Sequence, residues 1–445
     1  MLTRVRRTAG LDFHVLTTLV LRTWQIVAGA LTMLFIPYWL SKVEQGYYFT
    51  FSSLIALNVF FELGLNFVVT QLAGHEVAHL TRARDGTLTG KVRHLDRLAS
   101  LVRLLRQWYR IAAVLFFLGV SVAGLVFFSR NGTLPPSTWI GPWILLVLAA
   151  AATFYYSPLL AVTEGLGDVG QVARLRTAQS LAGYALMWTV LALGGALWSL
   201  PILPMVGVAV TVYWMRSHNR PLAGLVQRIA SSDAEHISWR AEILPLQWRI
   251  GISWASGYFI FQLFTPTIFS YHGPIEAGRV GLAFGVFNSI QTLGMSWVNA
   301  KGPVFASLIG SRDRVTLNRT FLGATGRSFA FVLAASLAVL IGVVLLQRLG
   351  SPIAARVADL PVLACLAAVT IANSLIFAAA TYMRAHKEEP MLFQSVFSGA
   401  MTGAIVLLAS PHSVLLTMFL YMLLAVFVGM PWTAVLLRRY YRRPE

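Results

Sequence analysis

The sequence predicts an all-α integral membrane protein with about twelve transmembrane helices and both termini in the cytoplasm. Three observations carry that expectation: an excess of apolar residues, apolar runs of spanning length along the whole chain, and a regular alternation of basic segments. Of the 445 residues, 57% are hydrophobic and 12% charged, and the mean hydropathy is +0.68. A soluble domain of this size needs more charge on its surface, whereas a protein whose solvent is lipid does not.

A spanning helix needs roughly 20 mostly apolar residues to cross about 30 Å of hydrocarbon. Runs of that kind lie at 15–40, 46–73, 111–129, 139–162, 178–197 and 200–215 in the first half. The second half repeats the pattern at 250–269, 280–309, 329–346, 360–383, 393–408 and 414–437. The segment 197–204 reads as a turn or a kink between the fifth and sixth spans. The basic stretch 1–14 precedes an apolar run too long for a signal-peptide core, with no small-residue cleavage site behind it, so a retained first span is expected. A lone cysteine, Cys365, excludes an intramolecular disulfide and reads as a packed thiol.

Charge alternation tests the span assignment independently. With a cytoplasmic N-terminus, the outside segments hold only Lys42, Arg130, Arg279, Arg348 and Arg356 among 35 Lys and Arg, and Arg22 and Lys301 fall within spans. All the others lie inside, as the positive-inside rule requires. The net charge of +18 is therefore a topology signal and a contact with the cytoplasmic leaflet rather than a nucleic-acid footprint.

Two inside segments are long. Residues 75–110 are basic and amphipathic, with Arg93, Arg97, Arg103 and Arg106 beside Leu95, Leu98, Leu101 and Leu105, as in a helix lying on the membrane surface. Residues 217–247 read as a cytoplasmic linker between a six-helix lobe at 1–216 and another at 248–445. The halves resemble each other weakly. Phe35-Ile36-Pro37, Glu44-Gln45-Gly46 and Leu63-Gly64 correspond to Phe264-Thr265-Pro266, Glu276-Ala277-Gly278 and Leu293-Gly294. A parallel repeat of this kind places a binding site where the halves meet.

Polar residues inside spans are costly, by about 2.5–3.5 kcal/mol for a charge near the bilayer centre, and usually face a cavity. Arg22, Gln25, Gly29 and Thr32 share one face of the first span, and Asn58, Glu62, Asn66 and Thr70 form a stripe on the second. Arg249 and Ser253 begin the seventh span, and Asn288, Gln291, Ser296, Asn299 and Lys301 follow in the eighth. Gly302-Pro303 marks a helix break beside Lys301. Snorkelling to headgroups competes with a cavity role for Arg22, and more strongly for Arg249 at the edge of its span. The expected substrate cavity comprises Arg22, Gln25, Asn58, Glu62, Asn66, Arg249, Ser253, Asn288 and Lys301. Its three cations suit an anionic ligand, with Glu62 as counter-charge.

Two motifs look catalytic. His75-Glu76-Val77-Ala78-His79 fits the H-E-x-x-H zinc pattern. The nearest third ligand, Asp168, lacks a proline-containing context, so interfacial polar residues are the preferred reading. The stretch from Gly86 to Lys91 is one residue short of a phosphate loop and ends in Val92 where Ser or Thr is required. No apolar strand precedes it. Transport without an ATP site runs on an ion gradient, the membrane potential or a substrate gradient. Transport rather than catalysis is expected, with no catalytic residue, cofactor or metal.

Two stretches carry a family resemblance: Phe35 to Pro37 with Glu44-Gln45-Gly46-Tyr47-Tyr48-Phe49 and Phe60-Phe61-Glu62-Leu63-Gly64, and Trp239-Arg240-Ala241-Glu242 with Pro245-Leu246-Gln247-Trp248-Arg249 and Ser253-Trp254. Both are similar to bacterial polysaccharide and O-antigen export proteins of the multidrug/oligosaccharidyl-lipid/polysaccharide exporter superfamily. The resemblance implies a MATE-like exporter fold of two six-helix lobes around a V-shaped cavity that opens alternately to each side of the inner membrane. It also implies the cargo, an oligosaccharide on undecaprenyl pyrophosphate carried from the cytoplasmic to the periplasmic leaflet for surface polysaccharide synthesis. The implied partners are that lipid-linked oligosaccharide, the phospholipid bilayer and polysaccharide polymerase machinery, with no nucleic acid. A cation-coupled small-molecule exporter on the same fold is the alternative, and a membrane zinc metalloprotease is a remoter one.

Overall fold

The computed structural model describes residues 13–83, 87–218, 220–227, 237–386 and 389–441. Among them the fold is helical except for one two-stranded hairpin. Seven helices are long and apolar enough to cross a membrane, or eight if the bent pair Lys42–Glu62 and Leu65–Val77, at 44°, counts as one span. The longest of these, Pro136–Ala192, is interrupted at Gly167 (φ 92°) and covers two of the expected spans. The basic residues Arg4, Arg6 and Arg7, and the middle of the expected linker, 228–236, lie outside the described residues.

The chain forms two compact units. The first comprises residues 1–28, 54–130 and 134–254; the second comprises 29–53, 131–133 and 255–445.

In the first unit, α1 (Phe13–Trp39) contributes its start, and a short turn of helix, α3 (Val59–Glu62), leads into α4 (Leu65–Val77). Between α3 and α4, Leu63 and Gly64 both take left-handed backbone, at φ 46° and 70°. The break is set by packing: a Cβ on Gly64 would collide with the Ile250 side chain, and one on Gly251 would sit 2.9 Å from Leu63 Cβ. Leu63 is thus held in a conformation that a branched side chain disfavours. A hairpin of β1 (Leu80–Arg82) and β2 (Leu88–Gly90) pairs Thr81 with Thr89, then gives way to α5 (Val92–Asn131).

The surface helix expected at 75–110 is not a separate element. From Val92 onward it is continuous with the apolar run expected as the third span, in a single helix of 40 residues and about 60 Å. Its apolar stripe, Leu95, Leu98, Leu101 and Leu105, is buried against protein, in one core with Leu222, Leu225, Ile237 and Ile243. Amphipathic periodicity shows that one face is covered, but not whether lipid or protein covers it. Next come α6 (Pro136–Thr163), a π-type turn at Glu164–Asp168 and α7 (Val169–Ala192). The expected turn before the sixth span falls at 193–198, with Gly194 at φ 81°, ahead of α8 (Ser199–His218). A short amphipathic helix, α9 (Arg220–Gln227), follows, and the unit closes with the first part of α10 (Leu244–Phe261).

The second unit contains the end of α1, the start of α2 (Lys42–Ile55) and the rest of α10. Its next element, α11 (Phe264–Asn299), is interrupted at Gly273 (φ 82°), so the helix that carries the expected eighth span starts at Pro274, six residues before that apolar run. Helix α11 is not among the described helices apolar enough to cross a membrane. The expected break beside Lys301 is present: Lys301 caps α12 (Gly302–Gly310), which has Pro303 in its first turn. The unit continues through α13 (Arg314–Arg348), α14 (Leu360–Arg384), α15 (Leu392–Ala409), α16 (Val414–Leu423) and α17 (Met430–Tyr441). Cys365 is buried on α14.

Candidate substrate cavities

Each unit encloses its own cavity. The first, of about 590 Å³, lies among α1, α4, α6, α7 and α8. Gln25 of α1 and Asn66 of α4, both expected cavity residues, line it together. The position of Asn66 follows from the break at Leu63–Gly64. Its Nδ2 donates to Glu62 Oε1 at 2.7 Å and to Ser157 Oγ at 3.1 Å, so it bridges the end of α3 to α6. One turn on, the Thr70 hydroxyl donates to the Ala161 carbonyl at 3.2 Å.

Also in the lining, Arg176 of α7 pairs with Glu164 at 3.0 Å. Gln179 Nε2 donates to the Gly207 carbonyl at 2.9 Å and to Thr211 Oγ1 at 2.5 Å, tying α7 to α8. Tyr156 and Tyr184 add aromatic faces, and Tyr184 stacks obliquely on Trp188, which in turn meets Trp24 of α1. The lining thus combines hydroxyls, carboxamides and phenol rings with one guanidinium–carboxylate pair, set among apolar side chains that include Phe67, Leu160, Leu203 and Val208.

Seven of the nine expected cavity residues belong to the first unit: Arg22, Gln25, Asn58, Glu62, Asn66, Arg249 and Ser253. Gln25 and Asn66 meet at the cavity, and Glu62 is held by Asn66. Arg22 lies on α1, and Arg249 lies on α10 next to Ile250, which packs against Gly64 beside Glu62. The side chains of both arginines are outside the described residues. Asn58 ends the 3₁₀ turn before α3, and Ser253 is half-buried on α10; neither lines the cavity.

The second cavity, of about 250 Å³, belongs to the second unit and is lined by Asn288 and Gln291 of α11, with Gln262, Asn373, Ser52 and Tyr421. Asn288 lines this cavity, whereas Lys301 stands exposed at the α12 cap, outside it. Lys301 is separated from Asn288 by more than three turns of helix.

Sequence reasoning missed Arg176, Glu164 and Gln179 in the first cavity and Gln262 and Asn373 in the second. Arg176 and Glu164 lie in a segment between apolar runs that the sequence places inside, where charge reads as a topology signal. Gln262 and Asn373 are single amides without a polar stripe.

The H-E-x-x-H motif has a structural explanation. Glu76 is buried, and its carboxylate is held by Arg97 Nε at 2.8 Å and His94 Nδ1 at 2.7 Å. Arg97 also reaches Glu242 at 2.5 Å, linking α4 and α5 to the turn Trp239–Ile243. His79 stacks on His94, with ring centres 4.4 Å apart. Asp168 is engaged by Arg82 of β1, whose Nη1 donates to it at 2.9 Å, and by Gln171 at 2.8 Å. The hydrogen bond from Arg82 to Asp168 holds the guanidinium above its ordinary pKa. Among the described residues no group of His, Cys, Asp or Glu is arranged to hold a metal ion.

No protein-family model and no curated protein matches the sequence. Solved structures do match. The lipid II flippase MurJ, in an inward closed conformation, superposes at a TM-score of 0.64 with 10% identity, covering 96% of this chain and 87% of that one. The eukaryotic MATE transporter AtDTX14 gives 0.63 with 13% identity, over 99% and 96% of the two chains. The MATE multidrug transporter DinF-BH, solved with R6G, gives 0.62 with 13% identity, over 95% and 94%. At such identities the likeness defines the fold. The chain is a multi-pass helical membrane protein with the fold that these two MATE transporters and the lipid flippase share.

Proposed function

We propose that this chain is a flippase of the bacterial inner membrane. It would move an oligosaccharide carried on undecaprenyl pyrophosphate from the cytoplasmic to the periplasmic leaflet by alternating access. In this reading the chain crosses the membrane twelve times, with both termini inside. Lobes at 1–216 and 248–445 are joined by a cytoplasmic linker at 217–247.

The observation that carries the reading is the chemistry of the first cavity. Hydroxyls, carboxamides and tyrosines match a hydroxyl-rich headgroup, because each supplies donors and acceptors or a flat apolar face. Its two opposite charges, Arg176 and Glu164, already engage each other, so the cavity is not tuned to a lipophilic cation. Arg22 and Arg249, read from the sequence as cavity cations, would offset the desolvation of a phosphate during crossing. The fold shared with a lipid flippase supports the same reading.

The test is the sidedness of lipid-linked sugars in vesicles from a strain lacking the gene, with and without its restoration. Accumulation of cytoplasm-facing oligosaccharide–lipid only in its absence is the expected result. Unchanged sidedness in a strain without a redundant exporter overturns it.

One observation favours a second reading, a cation-coupled small-molecule exporter. Glu62 lies half-buried in the broken second span, and Asn66 is its hydrogen-bond partner among the described residues, where no cation pairs with it. A carboxyl group placed this way can take up and release a proton or a metal cation. Gradient-dependent drug efflux lost in Glu62→Gln would establish that reading instead.

A further inference from the structure

The cavity of the second unit differs in kind from the first. Four carboxamides converge on about 250 Å³: Gln262 from the break after α10, Asn288 and Gln291 from α11, and Asn373 from α14. No charged side chain lines it. The volume lies below the roughly 300–1,000 Å³ of sites that take drug-sized molecules, so the occupant is no larger than a single small ring.

Gln291 is the decisive residue. It is 8% exposed, and neither its Oε1 nor its Nε2 has a hydrogen-bond partner within the protein. A buried amide left in this state costs about 1–3 kcal/mol. Native proteins rarely tolerate that cost without a use for the group. Gln394 of the same unit shows the ordinary alternative: its Nε2 donates to the Gly429 carbonyl and to Thr433, each at 2.8 Å.

The chemistry of the lining selects the occupant. A phosphate would enter a neutral, low-dielectric cavity with its charge uncompensated, which is prohibitive. A metal cation would use only the four amide oxygens, with no carboxylate to offset its charge, and would leave the NH₂ groups without partners. A sugar hydroxyl is donor and acceptor at once, and a carboxamide presents both functions in one plane. Tyr421 and Phe284 add aromatic surface of the kind that the apolar face of a sugar ring covers.

We infer that this cavity is a subsite for one uncharged sugar residue, held through the Gln291 carboxamide. The inference rests on the flippase reading for its biological sense, because it places a glycan unit in the second unit, apart from any phosphate. It stands or falls on separate data.

The experiment is a titration of the full chain, in nanodiscs of phosphatidylethanolamine and phosphatidylglycerol, with methyl glycosides. Glucose, galactose, mannose, rhamnose and N-acetylglucosamine derivatives form the panel, and sodium chloride and inorganic pyrophosphate are the comparison ligands. Calorimetry and ligand-observed NMR read the binding. At least one glycoside is expected to saturate, and Gln291→Leu is expected to weaken it by about tenfold or more, the equivalent of one good hydrogen bond.

The ligand-free melting temperature of Gln291→Leu should equal or exceed that of the parent, since no protein partner is lost. A drop in melting temperature would mark Gln291 as structural and overturn the assignment. Gln262→Leu provides a second, independent loss of binding. Absence of saturable binding across the panel, binding indifferent to both substitutions, or a Gln291-dependent response to sodium or pyrophosphate instead would each overturn it.

The two claims fail separately. A chain that restores lipid-linked sugar sidedness but binds no glycoside sinks the subsite alone. One that binds glycoside through Gln291 yet leaves sidedness unchanged sinks the flippase reading and keeps the subsite.

Discussion

Gly46 and Pro274 meet backbone to backbone: a Cβ on Gly46 would collide with the Pro274 carbonyl group. The approach is reciprocal, since a Cβ on Gly278 would lie 2.8 Å from the Gly46 nitrogen. Beside them, Gln45 Nε2 donates to the Gly278 carbonyl at 2.8 Å and to the Arg356 carbonyl at 3.1 Å. The triplets Glu44-Gln45-Gly46 and Glu276-Ala277-Gly278, which echo each other in sequence, are therefore contact partners in the second unit. Only glycine allows two helices to approach this closely in lipid, where small residues bring backbones together.

Gly46→Ala should consequently destabilise the protein although it adds a single methyl group to an apolar helix. Backbone, rather than a flexible side chain, stands in the way, so the cost is at least that of overpacking, about 1–3 kcal/mol. A lowered thermal midpoint in detergent, with membrane insertion intact, is the expected result. Gly29→Ala, where a Cβ meets nothing within 4 Å, is the control and should leave the midpoint unchanged. Equal behaviour of the two variants would remove the close approach at Gly46.

Arg97 is expected to be the most sensitive residue of the cluster around Glu76. It neutralises buried Glu76 and bridges to Glu242. Arg97→Ala strands a buried carboxylate, a change that costs about 3 kcal/mol or more in comparable pairs. His75, exposed at the end of α4, should tolerate alanine. Zinc content of the purified protein, expected to be negligible and unchanged in His75→Ala, is measured by elemental analysis. Stoichiometric zinc lost on that substitution would contradict the hydrogen-bonded role assigned to Glu76.

The helical membrane fold was legible because lipid leaves a one-dimensional signature of long apolar runs, and seven or eight of the described helices carry it. The interruptions were less so. Lys301 and Gly302-Pro303 advertise a break through proline, but the break at Leu63–Gly64 depends on Ile250 and Gly251, far away in sequence. In the cavities, Gln25, Asn66 and Asn288 could be read because polar residues inside spans have few innocent uses. Arg176 and Glu164 could not, because the turn that carries Glu164 and the helix that carries Arg176 bring them to the cavity wall from a stretch whose charge reads in sequence as a topology signal. The basic stripe at 93–106 was read correctly as amphipathic, but its apolar face is covered by Ile237 and Ile243 rather than by lipid.

Asp313 offers a pH-dependent test outside the spans. Hydrogen bonds from Thr316, first its side chain and then its backbone N–H, hold the Asp313 carboxyl below its ordinary pKa at the N-cap of α13. A carboxylate with a depressed folded-state pKa stabilises the fold above its unfolded value, about 3.9, and that contribution disappears as pH falls through the folded value. Asp313→Asn keeps a capping acceptor at every pH. Its thermal midpoint should therefore fall less than the parent's on acidification below about pH 4. Identical acid sensitivity of the two proteins would show that the cap does not contribute.

Arg176 separates transport from stability most cleanly. Its side chain is 46% exposed and that of its partner Glu164 is 22% exposed, so the pair contributes at most about 1 kcal/mol to folding. Its place in the wall of the 590 Å³ cavity is another matter, because a guanidinium there can leave Glu164 and reach an incoming polar headgroup. Arg176→Gln should accordingly leave the melting temperature within a degree or two while reducing lipid-linked sugar translocation in vesicles by about tenfold, the loss of one charged hydrogen bond. Arg22→Ala should abolish translocation in the same assay without loss of folded protein. If Arg176→Gln transports normally while Arg22→Ala does not, the substrate path follows the first span and bypasses this cavity. If both transport normally, neither cation handles the cargo, and Glu62 with its coupled-exporter reading becomes the residue to follow.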